Sequence, residues 1–405
     1  MDILVLYDYG HVNGGAAKVA IAGAIGLAER GHRVVYLTPV GPMDARLAAS
    51  GVETVLLDQP DLISDPSPVT AAVRGVWNWG AAKAVKAAAA DLDPKNAVIL
   101  QHGWSKALSP ASERAIAESG LPTLYYMHEY FAACPNGAFF DYRAGENCDR
   151  VPLSTACVFR NCDARAYGHK LFRVMRHAAL LGPGRFKENL HHLIYISELQ
   201  RRVMSPWLPA DAKMTFAPNP IEVDDLGPAL IDDEAPFLFV GRFSREKGAL
   251  LAAEAARQAE APMVFVGDGE QLEAVKAAAP NARFTGWIKP EDTLREIRGA
   301  RALVFPSLWY ECQPLTVLEA LANGVPVIVS DNCAGAEFVA DGRTGLHFKS
   351  QNVSALSDAM RRMKDDGDVR EMGAAAHTDY WANPHTMERH LDVLEEALRR
   401  TQAGE

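Results

Sequence analysis

No uninterrupted apolar run reaches the roughly 18 residues that a membrane-spanning helix requires. Positive charge is in deficit, with 41 Lys and Arg against 51 Asp and Glu and a net charge of -10, so bulk attraction to nucleic-acid phosphate is not expected. Six cysteines in 405 residues are too few for a disulfide framework. The glycines after the first apolar run spell neither G-x-G-x-x-G nor a Walker A loop, which removes the main support for a dinucleotide dehydrogenase or a P-loop NTPase. What remains, 48% hydrophobic and 23% charged residues, is the mix of a soluble globular protein, and the length suits two domains.

Short apolar runs alternate with Ala-rich helical patterns from the start. Met1 to Tyr7 is too short and lacks the basic flank for a signal segment, so it reads as a first strand. Strands follow at Arg33 to Thr38, Glu53 to Leu57, Ala97 to Gln101 and Thr123 to Met127, with one long helix expected at Thr70 to Ala90. This rhythm predicts parallel βαβ crossovers and a doubly wound sheet. It breaks across residues 131-189, which are rich in Gly, Pro and Cys, and resumes at Leu193. Asp211 to Pro220 reads as a last strand and Glu222 to Pro236 as a linker. A second βα series runs from Phe237 to Ser330. The expected domains are 1-222, with helix 385-405 packing back on it, and 223-384. Ligands of such sheets sit beyond the carboxyl ends of the strands, which directs attention to those loops.

The first strand leads through Asp8 to Gly14 and Gly15 at a helix start, where backbone amides can approach an anion. The second series opens Gly241-Arg242-Phe243-Ser244-Arg245-Glu246-Lys247-Gly248, placing two cations where a multiply charged anion would explain them. A solvated basic loop is the alternative. Further on, Glu311 and Glu319, separated by seven residues, bracket a strand-to-helix turn, Glu311 in the loop and Glu319 about a turn into the helix.

Together the glycine pair, G-R-x-x-x-x-K-G and E-x7-E resemble the large family of retaining, nucleotide-sugar-dependent GT-B glycosyltransferases, the glycosyltransferase family 4-like group. Val266-Gly267-Asp268-Gly269, Phe284-Thr285-Gly286-Trp287 and Asp341-Gly342-Arg343-Thr344-Gly345 also look like its donor domain. The resemblance implies an α/β GT-B fold of two Rossmann-like domains facing a cleft. It implies that Arg242 and Lys247 hold a UDP- or GDP-sugar diphosphate after Gly241 and that Glu319 holds the ribose. Glu311 would contact the transferred sugar, with Cys312, Gln313, Pro314 and Leu315 completing that pocket. Gly286, Trp287 and Ile288 would lie near the base. Gly14 and Gly15 would face the donor phosphate or the acceptor. His128 would be the active-site histidine, and His102 occupies a similar strand end. No catalytic metal is expected, and Asp91-Leu92-Asp93 reads as a helix terminus.

The segment from His128 through Cys134, Cys148, Cys157 and Cys162 resembles transferases that build bacterial surface polysaccharides. The cysteine intervals depart from paired C-x2-C, so these thiols read either as a structural zinc site or as buried free thiols. Lys170 to Lys187 places basic and apolar residues at helical intervals, suiting a solvated face or contact with an anionic membrane. The expected activity is sugar transfer in the cytoplasm to a glycan or lipid-linked glycan acceptor. A GT-B epimerase or phosphorylase is the enzymatic alternative, and a non-catalytic sugar-nucleotide-binding partner the other.

Overall fold

A computed structural model describes all residues, 1–405. The first parallel sheet contains β1 (Asp2–Leu6), β2 (Arg33–Thr38), β3 (Glu53–Leu56), β4 (Ala97–Gln101) and β5 (Thr123–Tyr126). A two-stranded hairpin, β6 (Phe140–Asp141) with β7 (Glu146–Asn147), stands apart, and β8 (His192–Tyr195) and β9 (Lys213–Phe216) complete the sheet in the order β3-β2-β1-β4-β5-β8-β9. The second sheet is built from β10 (Phe237–Val240), β11 (Met263–Val266), β12 (Arg283–Gly286), β13 (Leu303–Phe305), β14 (Val327–Ser330) and β15 (Gly345–Phe348), in the order β12-β11-β10-β13-β14-β15. The two Rossmann-like α/β sheets are those the sequence led us to expect.

Both faces of each sheet are covered, so the central strands are apolar throughout; Ile3, Leu4, Val5 and Leu6 are all buried. The first domain's two faces are closed by separate cores, one of which includes Leu391, Leu394, Ala397 and Leu398 of the last helix, Met387–Ala403. The chain therefore returns to the first domain at its end.

Several local expectations change. The single helix expected at Thr70 to Ala90 is two, Pro68–Val76 and Trp79–Ala90. Asn78 breaks it: its side-chain oxygen caps the second helix at Ala81 N (3.1 Å) while its amide binds Gln59 and the Ala107 carbonyl. The expected strand at Asp211 to Pro220 shrinks to β9. β15 was not anticipated, since Gly345 opens a short run after a turn; a Cβ there would lie 2.1 Å from the Val327 oxygen of its partner strand. By sequence Lys247 stands at a helix start, and the structure places it otherwise. It ends a 3₁₀ turn, Arg245–Lys247, and the helix Ala249–Ala259 follows Gly248. Gly248 adopts φ 74°, and a Cβ there would meet the Pro306 carbonyl oxygen at 2.3 Å, so only glycine allows this approach of the β10 and β13 loops.

Candidate functional site

The strand ends of the second sheet are joined through backbone. Gly241 N donates to Val266 O at 3.0 Å, and Gly267 N donates to Gly286 O at 3.0 Å. Gly267 has φ 128°, and a Cβ on it would stand 2.0 Å from Gly241 O. The close approach leaves peptide groups, not side chains, at the strand ends. Trp287 beside them is exposed, while Ile288 packs against the domain core.

Lys247 and Glu311 meet at these ends, Nζ to Oε1 2.6 Å, and Ser307 Oγ donates to the same oxygen at 2.8 Å. Lys247 also lies over Trp309, 5.1 Å from its ring centroid. Glu311 is buried, so the ammonium supplies the compensation its carboxylate needs. Arg242 is exposed and makes no side-chain hydrogen bond or ion pair within the chain. One cation is thus bound to a carboxylate and the other is open.

Glu319 sits in the helix Leu315–Ala322 with no side-chain partner, and burial raises its pKa, opposed by the Lys18 charge. Lys18 comes from the helix Gly15–Glu29 of the first domain and pairs with Glu222 at 3.0 Å. The N-terminus of that helix reaches the start of the helix Leu315–Ala322: a Cβ on Gly15 would lie 3.6 Å from Leu315 Cδ1, and Gly14 has open space around it. Unpaired N–H groups at such an end favour negative charge.

The other residues of the 312–315 loop are less available. Gln313 Oε1 accepts from Asn219 N at 2.6 Å and its amide approaches Asn219 O and His385, so this side chain ties the loop to the chain between the domains. Pro314 precedes the helix and closes on Gly335. Cys312 faces Tyr130 and Gln200 of the first domain, and burial pushes its thiol up.

His128 does not stand free. Its Nε2 is 2.8 Å from His102 Nδ1, its ring stacks on Tyr126 with centroids 4.2 Å apart, and burial with the nearby His390 pushes its pKa down to about 3. His102 is buried and likewise shifted well down, so both rings are neutral at physiological pH. The pair offers ring nitrogens for hydrogen bonding and no positive charge.

Sequence reasoning missed the polar groups around it. Asp8, at the end of β1, accepts from the backbone N–H groups of Lys106, Ala107 and Leu108 at 2.8 to 2.9 Å and so fixes the loop after β4. Glu129 accepts from Phe131 N at 2.6 Å, and burial pushes its carboxyl up to about 8. The contacts between domains were also missed. Arg245 donates to the Tyr142, Arg143 and Ala144 carbonyls at 3.2, 3.0 and 2.9 Å, so the β6–β7 hairpin grips the loop after β10. Glu337 accepts from Glu198 N (2.8 Å) and Leu199 N (2.5 Å), capping a first-domain helix from the second domain.

Cys134, Cys148, Cys157 and Cys162 line one enclosed space, and all are free thiols. As the chain stands, no three His, Cys, Asp or Glu side chains are arranged to hold a metal ion. The basic helix Tyr167–Leu181 buries Lys170, Arg176 and His177 within the domain, which withdraws them from any surface contact, and no helix is long and apolar enough to cross a membrane.

Residues 227–378 match the family model described as glycosyl transferases group 1. An O-antigen chain mannosyltransferase C of Escherichia coli is 32% identical over 134 residues, 31% of this chain and 36% of that protein. The chain spans well under half the length of the curated relatives that it matches first. Among solved structures, sucrose-phosphate synthase of Thermosynechococcus elongatus superposes with a TM-score of 0.69 at 18% identity, covering 100% of this chain and 99% of that one. HepE of Anabaena, in complex with UDP, gives 0.64 at 15% identity, covering 98% and 100%. At such identities these likenesses establish the fold alone. Residues 227–378 are therefore a group 1 glycosyltransferase domain, set as the second half of a GT-B fold.

Proposed function

We propose that the protein is a retaining glycosyltransferase that moves a sugar from a nucleoside diphosphate donor to a hydroxyl of a glycan or lipid-linked glycan, in surface-polysaccharide synthesis. The observation that carries this is the grouping of open Arg242, paired Lys247 and Glu311, and unpartnered Glu319 around glycine-only strand ends. Arg242 and Lys247 would hold the diphosphate and stabilise the charge that develops as it leaves. Glu319 would accept hydrogen bonds from the ribose hydroxyls, and Trp287 with Ile288 would flank the base. Glu311 would meet the transferred sugar through the carboxylate oxygen that Lys247 does not use. In a front-face reaction the departing diphosphate takes the acceptor proton, so no protein nucleophile is assigned. His128, held neutral, would serve as a hydrogen-bonding partner of the sugar, and the amides after Gly14 would face phosphate.

An acceptor carrying lipid and phosphate is supported by a groove of roughly 520 Å³ in the first domain, walled by Leu62, Ile63, Phe131 and Phe172 and edged by Lys106 and Arg165. The UDP complex of the similar HepE structure favours testing uridine donors first. Incubation with UDP- and GDP-sugars and an undecaprenyl-type glycolipid acceptor should yield an α-linked product and free nucleoside diphosphate. Hydrolysis, epimerisation or phosphorolysis in place of transfer would replace this reading with one of its alternatives.

A further inference from the structure

We infer that the helices Pro68–Val76 and Tyr167–Leu181 form a face that docks on the surface of an anionic bilayer, their outward apolar side chains entering the headgroup region and the cations beside them meeting lipid phosphate. Lipid binding needs no turnover, so this role is independent of the transferase reading.

A helix on the surface of a domain ordinarily turns its apolar residues to the core and its charges to water. In Tyr167–Leu181 the charges are inside. Lys170 is 1% exposed and donates to Cys157 Sγ at 3.4 Å, and Arg176 is buried and donates to the Gly75 and Ser105 carbonyls at 2.8 and 2.6 Å. Gly168, Leu171, Met175 and Ala178 point outward instead, spaced by three and four residues along one face, with Leu171 42% and Met175 50% exposed.

The helix Pro68–Val76 lies against it: Arg176 bonds Gly75, and a Cβ on Gly75 would meet the Phe172 ring at 2.9 Å. It exposes Val69 by 74% and Val73 by 51%, one turn apart. Ile63 in the preceding turn is exposed as well, held there by Asp61 Oδ1, which accepts from Ile63 N at 2.8 Å and Ser64 N at 2.7 Å. Large apolar side chains gathered on two adjacent helices mark an interaction surface, which single scattered ones do not.

Charge selects the occupant. Neither helix contains Asp or Glu, in a chain of net charge -10. The carboxylates around them are taken: Asp61 accepts from Tyr9 at 2.6 Å, Asp65 binds Arg74, and Asp163 binds Arg173 at 2.8 Å. Arg165 and His169 are exposed, and their side chains bond nothing within the chain. A symmetric contact with a second copy would set such cations against their own equivalents, whereas anionic headgroups match them. The groove of roughly 520 Å³ opens between the same two helices and is lined further in by Lys106 and Phe131, which gives a lipid held at this face a path into the domain.

The full-length protein should sediment with vesicles of phosphatidylcholine containing about 30% phosphatidylglycerol, bind phosphatidylcholine alone about 10-fold or more weakly, and be released by high salt. Leu171→Glu combined with Met175→Glu should weaken binding to the anionic vesicles by about 10-fold or more at an unchanged melting temperature, because both side chains are exposed. Val69→Glu with Val73→Glu, on the other helix, should repeat the loss. Leu226→Glu with Leu230→Glu makes the same change of charge at two exposed leucines between β9 and β10 and should leave binding as in wild type. No sedimentation of the wild type with anionic vesicles, or equal binding by wild type and both helix variants, would overturn the inference. Self-association of the wild type in ultracentrifugation that Leu171→Glu with Met175→Glu abolishes, with vesicle binding absent, would assign the face to a second copy of this chain instead.

Discussion

Lys247 Nζ lies 2.6 Å from Glu311 Oε1, joining the loop after β10 to the loop after β13. The pairing separates two variants that otherwise look equivalent. Arg242→Ala, which breaks no contact within the chain, should lower turnover by about 100-fold with an unchanged melting temperature. Lys247→Ala should lower turnover similarly and also destabilise the fold by about 1 to 3 kcal/mol, because Glu311 loses its cation. Steady-state rates at saturating donor and thermal unfolding test both; near-wild-type turnover in both variants would remove the phosphate-holding role.

The two glutamates should differ in what they recognise. Glu319→Ala should weaken nucleoside diphosphate and intact donor alike, by about 1.5 to 3 kcal/mol, since the ribose is common to both. Glu311→Gln should leave nucleoside diphosphate affinity almost intact and reduce transfer. Calorimetric titration beside transfer rates decides it, and equal losses of nucleoside diphosphate affinity would show that the roles are wrongly divided.

Arg245 is the second-domain side of the contact with the β6–β7 hairpin. Arg245→Ala should speed amide hydrogen exchange in residues 140–147 by about 10-fold while leaving the core of either sheet unchanged, as expected for a local opening. Exchange read by mass spectrometry tests this; unchanged protection would mean that the hairpin is held without Arg245, by contacts such as Gln351 Nε2 donating to Gly145 O at 3.1 Å.

Glu113 is fully buried, bonded by Gln101 and by Asn189 Nδ2 at 3.0 Å, and its carboxyl is pushed up to about 8 by burial. A raised pKa means that the folded state holds the proton more tightly than the unfolded chain. This contribution to stability is therefore complete below the ordinary carboxylate range and is lost as pH rises through about 8. Glu113→Gln should flatten the stability profile between about pH 5 and 9, relative to wild type, by a few kcal/mol. Glu129, shifted in the same direction, leaves a residual slope in the variant. Denaturant unfolding across that range checks the sign; parallel profiles would show that Glu113 is ionised in the fold.

The βα alternation determined the two sheets, because a parallel strand covered on both faces must be apolar along its whole length, and that pattern is local in sequence. Gly241, Gly267 and Gly286 were visible as strand-end glycines, and Glu311 and Glu319 as a spaced pair, since each belongs to a single loop. What each side chain touches was decided only in three dimensions. Lys247 reads locally as a cation beside a helix, yet it is bound to Glu311, 64 residues away. His128 reads as a free strand-end histidine, yet Tyr126 of its own strand and His102 from the neighbouring strand end pack against it, and burial holds it neutral. Gln313 belongs by position to the sugar loop and by contact to Asn219. The part of the insert from Phe131 to Cys162 gave no periodic signal, because its order comes from Arg245, buried Lys170 and converging thiols and not from a repeating apolar face. Periodicity encodes which elements form; burial and charge compensation between distant residues decide which groups remain open for a ligand.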